Sequence, residues 1–536
     1  MGLTLVAAAP AAGQSHPEPA AIARTIPIDI PDQQTAPTIS TLRFDSRSHF
    51  APGGQFTLGA VNIDGATVFS RSELSRFFEP YLASEVDNSK LTEIAARITE
   101  QYRATGYVLS YAVVPPQSVE AGMVRIDVVE GRIGKVTVKG AGSEEGAIDS
   151  LTESLLHDAP LKASTLERAI GLIRDLPGIK LTDVALLRTD AEAGLYALKI
   201  TVKRNRSSGF AYSDNRGTAG SAGMRLYSSA SLSSLAVNGD ELRVDLFGMP
   251  GRGFHYRYGQ LLAGVPLGYS GARLTLWASK GDEFLKDATF KGDSTDVSFQ
   301  FSYPMVRSRK LTLLGKLSMN DWRTLGSEKT ARALHDHLRV AKFGLEFSRE
   351  AKTRIQGELT FSRGLGFGGM TKVGDPLSSR RDASGKFTKA TLTVQLARPL
   401  GSRVTLRGTA IAQYSDRPLL SPEEFSLGGN RIGRAFAFNA LTGDRGYGVG
   451  SEISYRLSDP KKSGGIEVFA FADGGSAYQA HSSIVTSSER RSLASLGFGS
   501  RFSIGGTAFS VEAGVPVARK GLDKSVRLFF STYRAF

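Results

Sequence analysis

The stretch Gly465-Ile-Glu-Val-Phe-Ala-Phe-Ala-Asp-Gly-Gly475 carries the pattern that decides the fold. Its residues alternate in character with a period of two, as expected of a β-strand with two different faces. The same alternation occurs in Ala272-Arg-Leu-Thr-Leu-Trp-Ala278 and in Val404-Thr-Leu-Arg-Gly408. Segments of this kind, close to ten residues long, are typical of strands that cross a membrane in a barrel. We therefore expect antiparallel strands from Arg206 to the end of the chain.

Turn signals divide this region into short and long connections. Four proline-centred segments predict short hairpin turns, namely Val265-Pro-Leu267, Tyr303-Pro-Met305, Arg398-Pro-Leu400 and Val515-Pro-Val517. The polar stretches Arg323–His337 and Lys372–Lys386 predict long loops. Short turns on one side and long loops on the other are the pattern of an outer-membrane barrel, and residues 206–536 have room for about sixteen strands.

Composition narrows the possible classes of protein. A chain of 536 residues is long for one domain, so we expect two or more. The absence of Cys excludes a disulfide scaffold and any thiolate metal site. Outside the extreme N-terminus, no stretch approaches the roughly 20 apolar residues of a spanning helix. A membrane location would therefore require a closed barrel.

The positive charge belongs to the strand-rich region alone. Residues 1–205 hold 20 of the 66 Lys and Arg residues and 24 of the 52 Asp and Glu residues, a net charge of −4, whereas the whole chain has +14. The basic residues are scattered along alternating strands without the clustering and aromatic platforms that nucleic-acid binding favours. A basic lumen, or basic loops among anionic lipid headgroups, is the better interpretation.

The N-terminus predicts export. Leu3–Gly13 is a short apolar stretch that ends in small residues, which indicates the back half of a secretory signal with its true start upstream. A flexible Ala-rich tail is the alternative. Residues 14–54 contain six prolines, five of them spaced among polar residues between Pro17 and Pro37, and predict an extended linker.

Residues 55–204 contain an internal repeat. Val61-Asn-Ile-Asp-Gly65 recurs as Val136-Thr-Val-Lys-Gly140, and Glu120-Ala-Gly122 with the strand after it recurs as Glu192-Ala-Gly194. The period of about 75 residues indicates two copies of one folded unit, at 55–131 and 132–205.

Each copy has the pattern strand, helix, helix, strand, strand. In the first copy, Ser70-x-x-Glu73 predicts a capped helix whose apolar face carries Leu74, Phe77, Phe78 and Leu82. A second helix carries Leu91, Ile94, Ala95 and Ile98, and Tyr107–Val114 follows as a strand. The second copy has Ser164-x-x-Glu167 with Leu166, Ile170, Ile173 and Leu176, ended by Pro177-Gly178. This βααββ order resembles the POTRA domain. Its sheet edge could receive an extended peptide, or the pair could act as spacers.

Two motifs near the end of the chain stand out. The first is Phe425-Ser-Leu-Gly-Gly-Asn-Arg-Ile-Gly-Arg434-Ala-Phe436, closed by Gly443-Asp444-Arg445-Gly446, and the second is Phe471-Ala-Asp473-Gly-Gly475. With Asp214-Asn-Arg-Gly217, Ser362-Arg-Gly-Leu365 and Leu420-Ser-Pro-Glu-Glu-Phe425, they occur in the order of the TpsB two-partner secretion transporters, the family of FhaC and ShlB. From residue 55 to residue 536 the chain resembles that family.

The resemblance implies a fold and a set of site residues. The fold is a pair of N-terminal α+β POTRA domains followed by a transmembrane antiparallel β-barrel of sixteen strands. In such barrels an arginine at the tip of a long loop folds back inside and meets an aspartate on the inner wall, which makes Arg434 and Asp473 the candidates for a bidentate pair. The supporting residues that the resemblance implies are Gly428, Gly429, Gly433, Phe436, Gly443, Asp444, Arg445, Gly446, Phe471, Gly475, Asp214, Asn215 and Gly217.

Three features depart from the family pattern. Gly433 and Ala435 stand where the family more often has Val and Gly around the arginine. The family's N-terminal plug helix has no clear amphipathic counterpart in residues 14–54, where only Ala20–Ile26 could begin one. The terminal Phe536, on an alternating strand, resembles the signal by which such barrels are handed to their assembly machinery, although Arg534 departs from the usual apolar pattern there.

The implied function is a secretion channel in the outer membrane of a Gram-negative bacterium. Periplasmic POTRA domains would capture an unfolded exoprotein and the barrel would pass it to the surface, with activation of the cargo left open. Outer-membrane lipids and the barrel-assembly machinery are the other expected partners, and nucleic acid and cofactors are not expected. The alternatives are a BamA-like assembly factor and a barrel enzyme.

Catalytic motifs are weak. Gly364-Leu-Gly-Phe-Gly-Gly369 fits G-x-G-x-x-G, but no helix is expected before Pro376 to hold a pyrophosphate. His335-Asp-His337 has no third metal ligand nearby in the sequence. Neither G-x-S-x-G nor H-E-x-x-H occurs. We expect no enzymatic activity and no metal site.

Overall fold

The computed structural model describes residues 54–191, 193–217, 223–251, 254–285, 290–328, 331–458, 465–480, 490–518 and 525–536. The predicted signal, residues 1–13, and all but the last residue of the predicted linker, residues 14–54, lie outside this part of the chain. The described residues form two compact units, 54–206 and the strand-rich region that begins at Ser207. No helix in the described part is long and apolar enough to cross a membrane.

The N-terminal unit contains eight strands and four α-helices in its described residues. They are β1 (Phe56–Thr57), β2 (Ala60–Asp64), α1 (Arg71–Ser75), β3 (Glu85–Val86), α2 (Asn88–Ala104), β4 (Tyr111–Val113), β5 (Met123–Val129), β6 (Arg132–Lys139), α3 (Glu145–His157), α4 (Ala163–Asp175), β7 (Ile179–Asp190) and β8 (Leu195–Arg204).

The repeat in the sequence is a repeat in the structure. In each copy the first strand pairs in parallel with the last, as β2 with β5 and β6 with β8. The remaining strand, β4 or β7, pairs antiparallel with the other side of that last strand. The two sheets therefore have the same order, and two helices lie between the first and second long strands of each copy. The βααββ prediction is confirmed.

The helix predictions hold except at their boundaries. Ser70 caps α1 and forms the reciprocal capping box with Glu73, as expected. In the second copy, Ser164 was expected to cap the helix with Glu167. This prediction is wrong, because α4 begins at Ala163 and its N-cap residue, Lys162, makes no side-chain hydrogen bond. Helix α3 was not located from the sequence. Leu82, expected on an apolar face, is 36% exposed.

The two copies share a core. Leu109 follows α2 in the first copy, yet it is 2% exposed and packs among the buried residues of the second copy. Backbone bonds join the same region, from Leu161 N–H to Gly131 O at 2.9 Å and from Ala163 N–H to Gly106 O at 2.8 Å. The strand predicted at Tyr107–Val114 is accordingly reduced to β4, because its first residues serve this junction.

The second unit is a closed barrel. Two further strands, β20 (Phe425–Leu427) and β21 (Leu441–Gly443), pair with each other as a short hairpin. The sixteen strands that close the barrel in the described residues are β9 (Ser207–Asp214), β10 (Arg225–Ser233), β11 (Glu241–Met249), β12 (Phe254–Pro266), β13 (Arg273–Leu285), β14 (Phe290–Arg307), β15 (Leu311–Glu328), β16 (Ala331–Arg349), β17 (Arg354–Gly364), β18 (Thr388–Pro399), β19 (Val404–Ser415), β22 (Arg445–Arg456), β23 (Glu467–Tyr478), β24 (Arg490–Ile504), β25 (Thr507–Ala518) and β26 (Arg527–Ala535).

Side chains alternate across the barrel wall. On β14, Val297 and Phe299 are 64% and 45% exposed, whereas Asp296 and Ser298 are buried. Apolar side chains thus face outward and polar ones inward, as a strand between lipid and an aqueous lumen requires. The alternation that the sequence showed has the direction expected of a membrane barrel.

Two of the four proline turns and one of the long loops were predicted wrongly. Pro266 and Pro399 end their strands, as expected, but Pro304 and Pro516 lie within β14 and β25. Pro516 lies beside a register shift, where a strand tolerates the loss of an N–H group. Arg323–His337 is not a loop, because β15 and β16 extend far along their hairpin.

Candidate functional site

The candidate site is a loop inside the barrel. Residues 416–444, named the lumenal loop here, connect β19 to β22 and contain the hairpin of β20 and β21. Its tip is buried, with Ile432 at 2% exposed, Ala435 at 0% and Phe436 at 2%. These residues pack with Leu493 on β24. The loop therefore folds back into the lumen and contacts the inner wall.

Glycine permits the tight turn at the tip. Gly433 has φ +83°, and a Cβ there would lie 2.9 Å from Leu493 Cδ1 and 3.0 Å from the Gly428 backbone. Gly428, at φ +110°, donates its N–H to Ile432 O at 2.9 Å. Residues with a side chain rarely adopt such angles, and here they would also lack space. This explains why Gly occupies position 433, where the family pattern favours Val.

Asp473 holds the backbone of the tip. Its carboxylate accepts the Gly433 N–H at 2.6 Å and the Arg434 N–H at 3.3 Å. Asp473 lies on β23 and faces inward, with 8% of its surface exposed. The expected guanidinium–carboxylate pair between Arg434 and Asp473 is therefore wrong in its atoms, because the contact runs through the loop backbone. The two residues do meet inside the barrel.

The Arg434 guanidinium group binds two glutamates on other strands. Nη1 lies 2.7 Å from Glu452 Oε2 on β22, and Nη2 pairs with Glu512 on β25. The group also lies over the Phe471 ring, 3.8 Å from its centroid. A Cβ at Gly497 would come within 2.4 Å of that ring, so Gly497 provides its space. Charge pairing and a cation–π contact together fix the side chain.

The segment after the first barrel strand reaches the same tip. Arg216, in the Asp214-Asn-Arg-Gly217 motif, donates from Nη1 to Arg434 O at 2.5 Å and pairs with Glu512. Asp214 orients this segment by accepting the Arg216 N–H at 3.0 Å. Asn215 bonds the backbone of β26, accepting the Phe530 N–H at 2.9 Å. The motif thus joins the first and last strands of the barrel to the lumenal loop.

The closing motif of the loop is also anchored. Asp444 is fully buried and accepts the backbone N–H groups of Leu419 and Ala480, each at 2.7 Å. Arg445 donates from Nε to Ser415 O at 2.8 Å. The remaining motif glycines lie along the same contacts: Gly429 at the tip, Gly443 at the end of β21, Gly446 on β22 and Gly475 on β23.

Sequence reasoning missed several charged residues that hold the loop. Residues 419–424 of the lumenal loop are named the inbound limb here. On this limb, Glu423 pairs with Lys389 and lies 3.5 Å from Lys342 Nζ. For the missed residues that lie on strands, alternation predicts the inner face but not which inward charge meets a loop. Arg216 and Arg380 lie in loops, where alternation gives no signal. The missed residues are Arg216, Lys342, Arg380, Lys389, Glu452, Glu512 and Arg527.

The weak catalytic motifs acquire structural roles. His337 lies on β16, with Nε2 3.1 Å from Asp321 Oδ1 and Nδ1 3.2 Å from Gly369 O. The described residues contain no group of three or more His, Cys, Asp or Glu side chains placed to hold a metal ion. The G-x-G-x-x-G stretch and the residues after it, to 387, contain no helix. The C-terminal Phe536 has an exposed ring and exchanges backbone bonds with Gly209, each at 2.9 Å.

These features define a class: membrane β-barrels that carry POTRA-like units and hold one of their own loops in the lumen. The chain belongs to the family described as haemolysin secretion/activation protein ShlB/FhaC/HecB, whose model matches residues 196–502. A second model, described as POTRA domain, ShlB-type, matches residues 56–131.

Individual relatives agree with the family. The heme/hemopexin transporter protein HuxB of Haemophilus influenzae (strain 86-028NP) is 24% identical over 466 residues, which cover 83% of this chain and 80% of HuxB. The outer membrane transporter CdiB of Dickeya dadantii (strain 3937) is 22% identical over 453 residues, with 80% and 77% covered. The chain is thus an outer-membrane transporter of the two-partner secretion type.

Solved structures agree on the fold. CdiB from Escherichia coli superposes with a TM-score of 0.75 at 20% identity and covers 94% of each chain. BamA from Haemophilus ducreyi, lacking POTRA domains 1–3, gives a TM-score of 0.51 at 12% identity, with 90% of this chain and all of that chain covered. The fold is therefore shared with BamA, whereas the family match favours secretion over the BamA-like alternative.

Proposed function

We propose that this transporter conducts an unfolded exoprotein through the barrel lumen, and that the lumenal loop controls the passage. The observation that supports this is the position of the loop, whose tip is buried among inward-facing residues of β22, β23 and β25. A polypeptide that shares this lumen must displace the loop. Polar and charged contacts suit that purpose, because water and cargo can replace them.

We place the N-terminal unit in the periplasm as the receptor for the cargo. Strand β7 is twelve residues long and pairs only with β8 among the described strands, so one of its edges is open. An extended peptide can add to such an edge by backbone hydrogen bonds. Leu187, on β7, is a large apolar side chain that is 52% exposed and offers a contact for the peptide.

The Arg434, Asp473 and Asp214 motifs act in this proposal as the holding contacts of the closed channel. Outer-membrane lipids would surround the barrel, and the assembly machinery would recognise its Phe536 terminus during biogenesis. Transport would need no cofactor and no catalytic residue, since folding of the cargo outside the cell can provide the free-energy decrease.

The receptor proposal is tested with the isolated unit and the exoprotein that this transporter secretes. A fragment of residues 55–205 should bind the N-terminal part of that exoprotein. Leu187→Glu should weaken binding about tenfold or more, since it places a charge where the peptide would cover an apolar side chain. Leu156→Glu is the matched control, because Leu156 is similarly exposed, at 46%, on helix α3. Equal binding by all three forms would reject β7 as the receptor edge.

A further inference from the structure

A second loop of the barrel packs against the lumenal loop. Residues 365–387, named the side loop here, connect β17 to β18. Backbone bonds hold the side loop along β16, from Leu365 N–H to Arg339 O at 2.8 Å and from Thr371 N–H to His337 O at 3.2 Å. The side loop is therefore anchored to the barrel wall by contacts of its own.

Apolar side chains join the two loops. Leu419 and Leu420, on the inbound limb of the lumenal loop, are fully buried. They belong to one buried cluster with Met370, Ala383 and Phe387 of the side loop. Two leucines that lose this cover would expose their whole apolar surface, so the contact favours the seated position of the limb.

Arg380 of the side loop bridges both ends of the lumenal loop. Its Nη1 lies 3.0 Å from Glu424 Oε1 on the inbound limb and 2.7 Å from Asp444 Oδ1 where the loop rejoins the wall. Its own neighbour Asp382 orients it, with Oδ2 2.9 Å from Nη2. The side chains of Glu424 and Asp444 are 6% and 0% exposed. Buried charge pairs of this kind depend strongly on both partners.

A direct contact lies next to Arg380. Ser421 donates its backbone N–H to Ser379 Oγ at 3.2 Å. Ser379 in turn donates its N–H to Asp336 Oδ1 on β16 at 3.0 Å. The inbound limb is thus connected through the side loop to a strand of the barrel wall.

We propose that the side loop is a second fastening of the lumenal loop, distinct from the Arg434 site at the tip, and that Arg380 is its positioning residue. Release of the tip alone would leave the limb at residues 419–424 in place, so the channel opens fully only when both fastenings separate. The inference rests on the proposed role of the lumenal loop in controlling passage. If the side loop is not a second fastening, it merely covers apolar residues of the barrel.

The test uses the absence of cysteine in this chain. The full-length double variant Ser379→Cys/Ser421→Cys should form a disulfide on oxidation, because the two residues are hydrogen-bonded neighbours. Single-channel currents in KCl across a planar bilayer provide the readout and require no cargo. Oxidation should reduce the fraction of time spent in large open states about tenfold, and reduction of the disulfide should restore it. Each single cysteine variant is a control and should not respond to oxidation.

A second pair of variants tests Arg380 itself. Arg380→Gln should raise the open fraction about tenfold, and Arg380→Lys should restore only part of the closed state, because Lys lacks the fork that reaches two carboxylates. A gel shift on heating confirms that each barrel is folded. The proposal is overturned if the disulfide does not form, if the linked channel opens as before, or if folded Arg380→Gln behaves as wild type. These currents are independent of secretion, so a failure here is distinct from a failure of the proposed function.

Discussion

The Asp473 carboxylate binds the backbone of Arg434, with 3.3 Å between Oδ2 and the amide nitrogen, and leaves the guanidinium group to other partners. Different residues therefore position the loop backbone and balance the charge of the Arg434 side chain. Asp473 determines where the chain turns, and Glu452 and Glu512 balance the charge that the turn brings into the lumen. A single pair could not connect three strands to the tip.

This division predicts different couplings in double-mutant cycles. Arg434→Ala combined with Glu512→Gln should show a coupling of about 1 kcal/mol or more, because the two side chains form a buried pair. Arg434→Ala combined with Asp473→Asn should be close to additive, since alanine retains the backbone N–H that Asp473 binds. Arg434→Lys should rescue partially. The midpoint of thermal unzipping in detergent measures each variant, and strong coupling only with Asp473 would contradict the structure.

The turn at Gly433 predicts a costly substitution. Gly433→Ala combines a positive φ with a Cβ closer than 3.0 Å to Leu493 Cδ1, so it should destabilise the seated tip by about 1–3 kcal/mol. Gly505→Ala is the matched control, because Gly505 also has a positive φ, +57°, but lies in open space. Open-channel currents should rise for Gly433→Ala and stay near wild type for Gly505→Ala. Equal currents would show that the tip tolerates a side chain.

A partly buried carboxylate predicts the pH dependence of the N-terminal unit. Burial favours a higher pKa for Glu130, but hydrogen bonds from Thr67, the Val68 N–H at 2.9 Å and the Tyr102 hydroxyl at 2.7 Å outweigh it, so the pKa is lowered. A lowered pKa contributes stability above the usual glutamate range, about 4.3, and that stability is lost as the pH falls through the folded-state value.

Glu130→Gln should therefore destabilise the fragment of residues 55–205 most at pH 7, with a difference from wild type that shrinks as the pH falls below about 4. Urea unfolding at several pH values measures it. Glu153→Gln, at an exposed position on α3, is the control and should change little. A destabilisation by Glu130→Gln that is constant across this range would contradict the assignment of charge to the bonded carboxylate.

The shared core predicts that the two POTRA-like copies depend on each other. Leu109→Ala should lower the free energy of unfolding of the 55–205 fragment by about 2–5 kcal/mol, as expected for a fully buried leucine. A fragment of residues 132–205 should be less stable still, because it lacks Leu109 altogether. Leu156→Ala, at a 46% exposed position, provides the comparison. An independently stable second copy would disprove the shared core.

The sequence predicts the features that depend on local patterns. Alternation with a period of two predicts the strand-rich region, and the repeated motif gives two βααββ units. The number of sixteen strands fits the length of that region but comes from the family resemblance. These patterns succeed because a strand with one face in lipid, or a sheet with one face in a core, requires the same spacing wherever it occurs.

Contacts between distant segments could not be predicted from the sequence. Pro304 and Pro516 resemble turn residues, yet long barrel strands accommodate both. Arg434 and Asp473 were correctly brought together, but the choice between side-chain and backbone contact depends on Glu452 and Glu512, which come from strands far apart in the chain. Helix α3 follows a glycine-rich turn without a side-chain cap, so no local signal marks its start.

The central claim is that cargo travels through the lumen, and adjacent residues of β14 test it most directly. Gln300 faces the lumen, whereas Phe299 faces outward and is 45% exposed. A stalled exoprotein carrying one cysteine should form a disulfide with the Gln300→Cys transporter and not with the Phe299→Cys transporter. Linkage at both positions alike, or at neither while the exoprotein still reaches the medium, would contradict passage through the barrel.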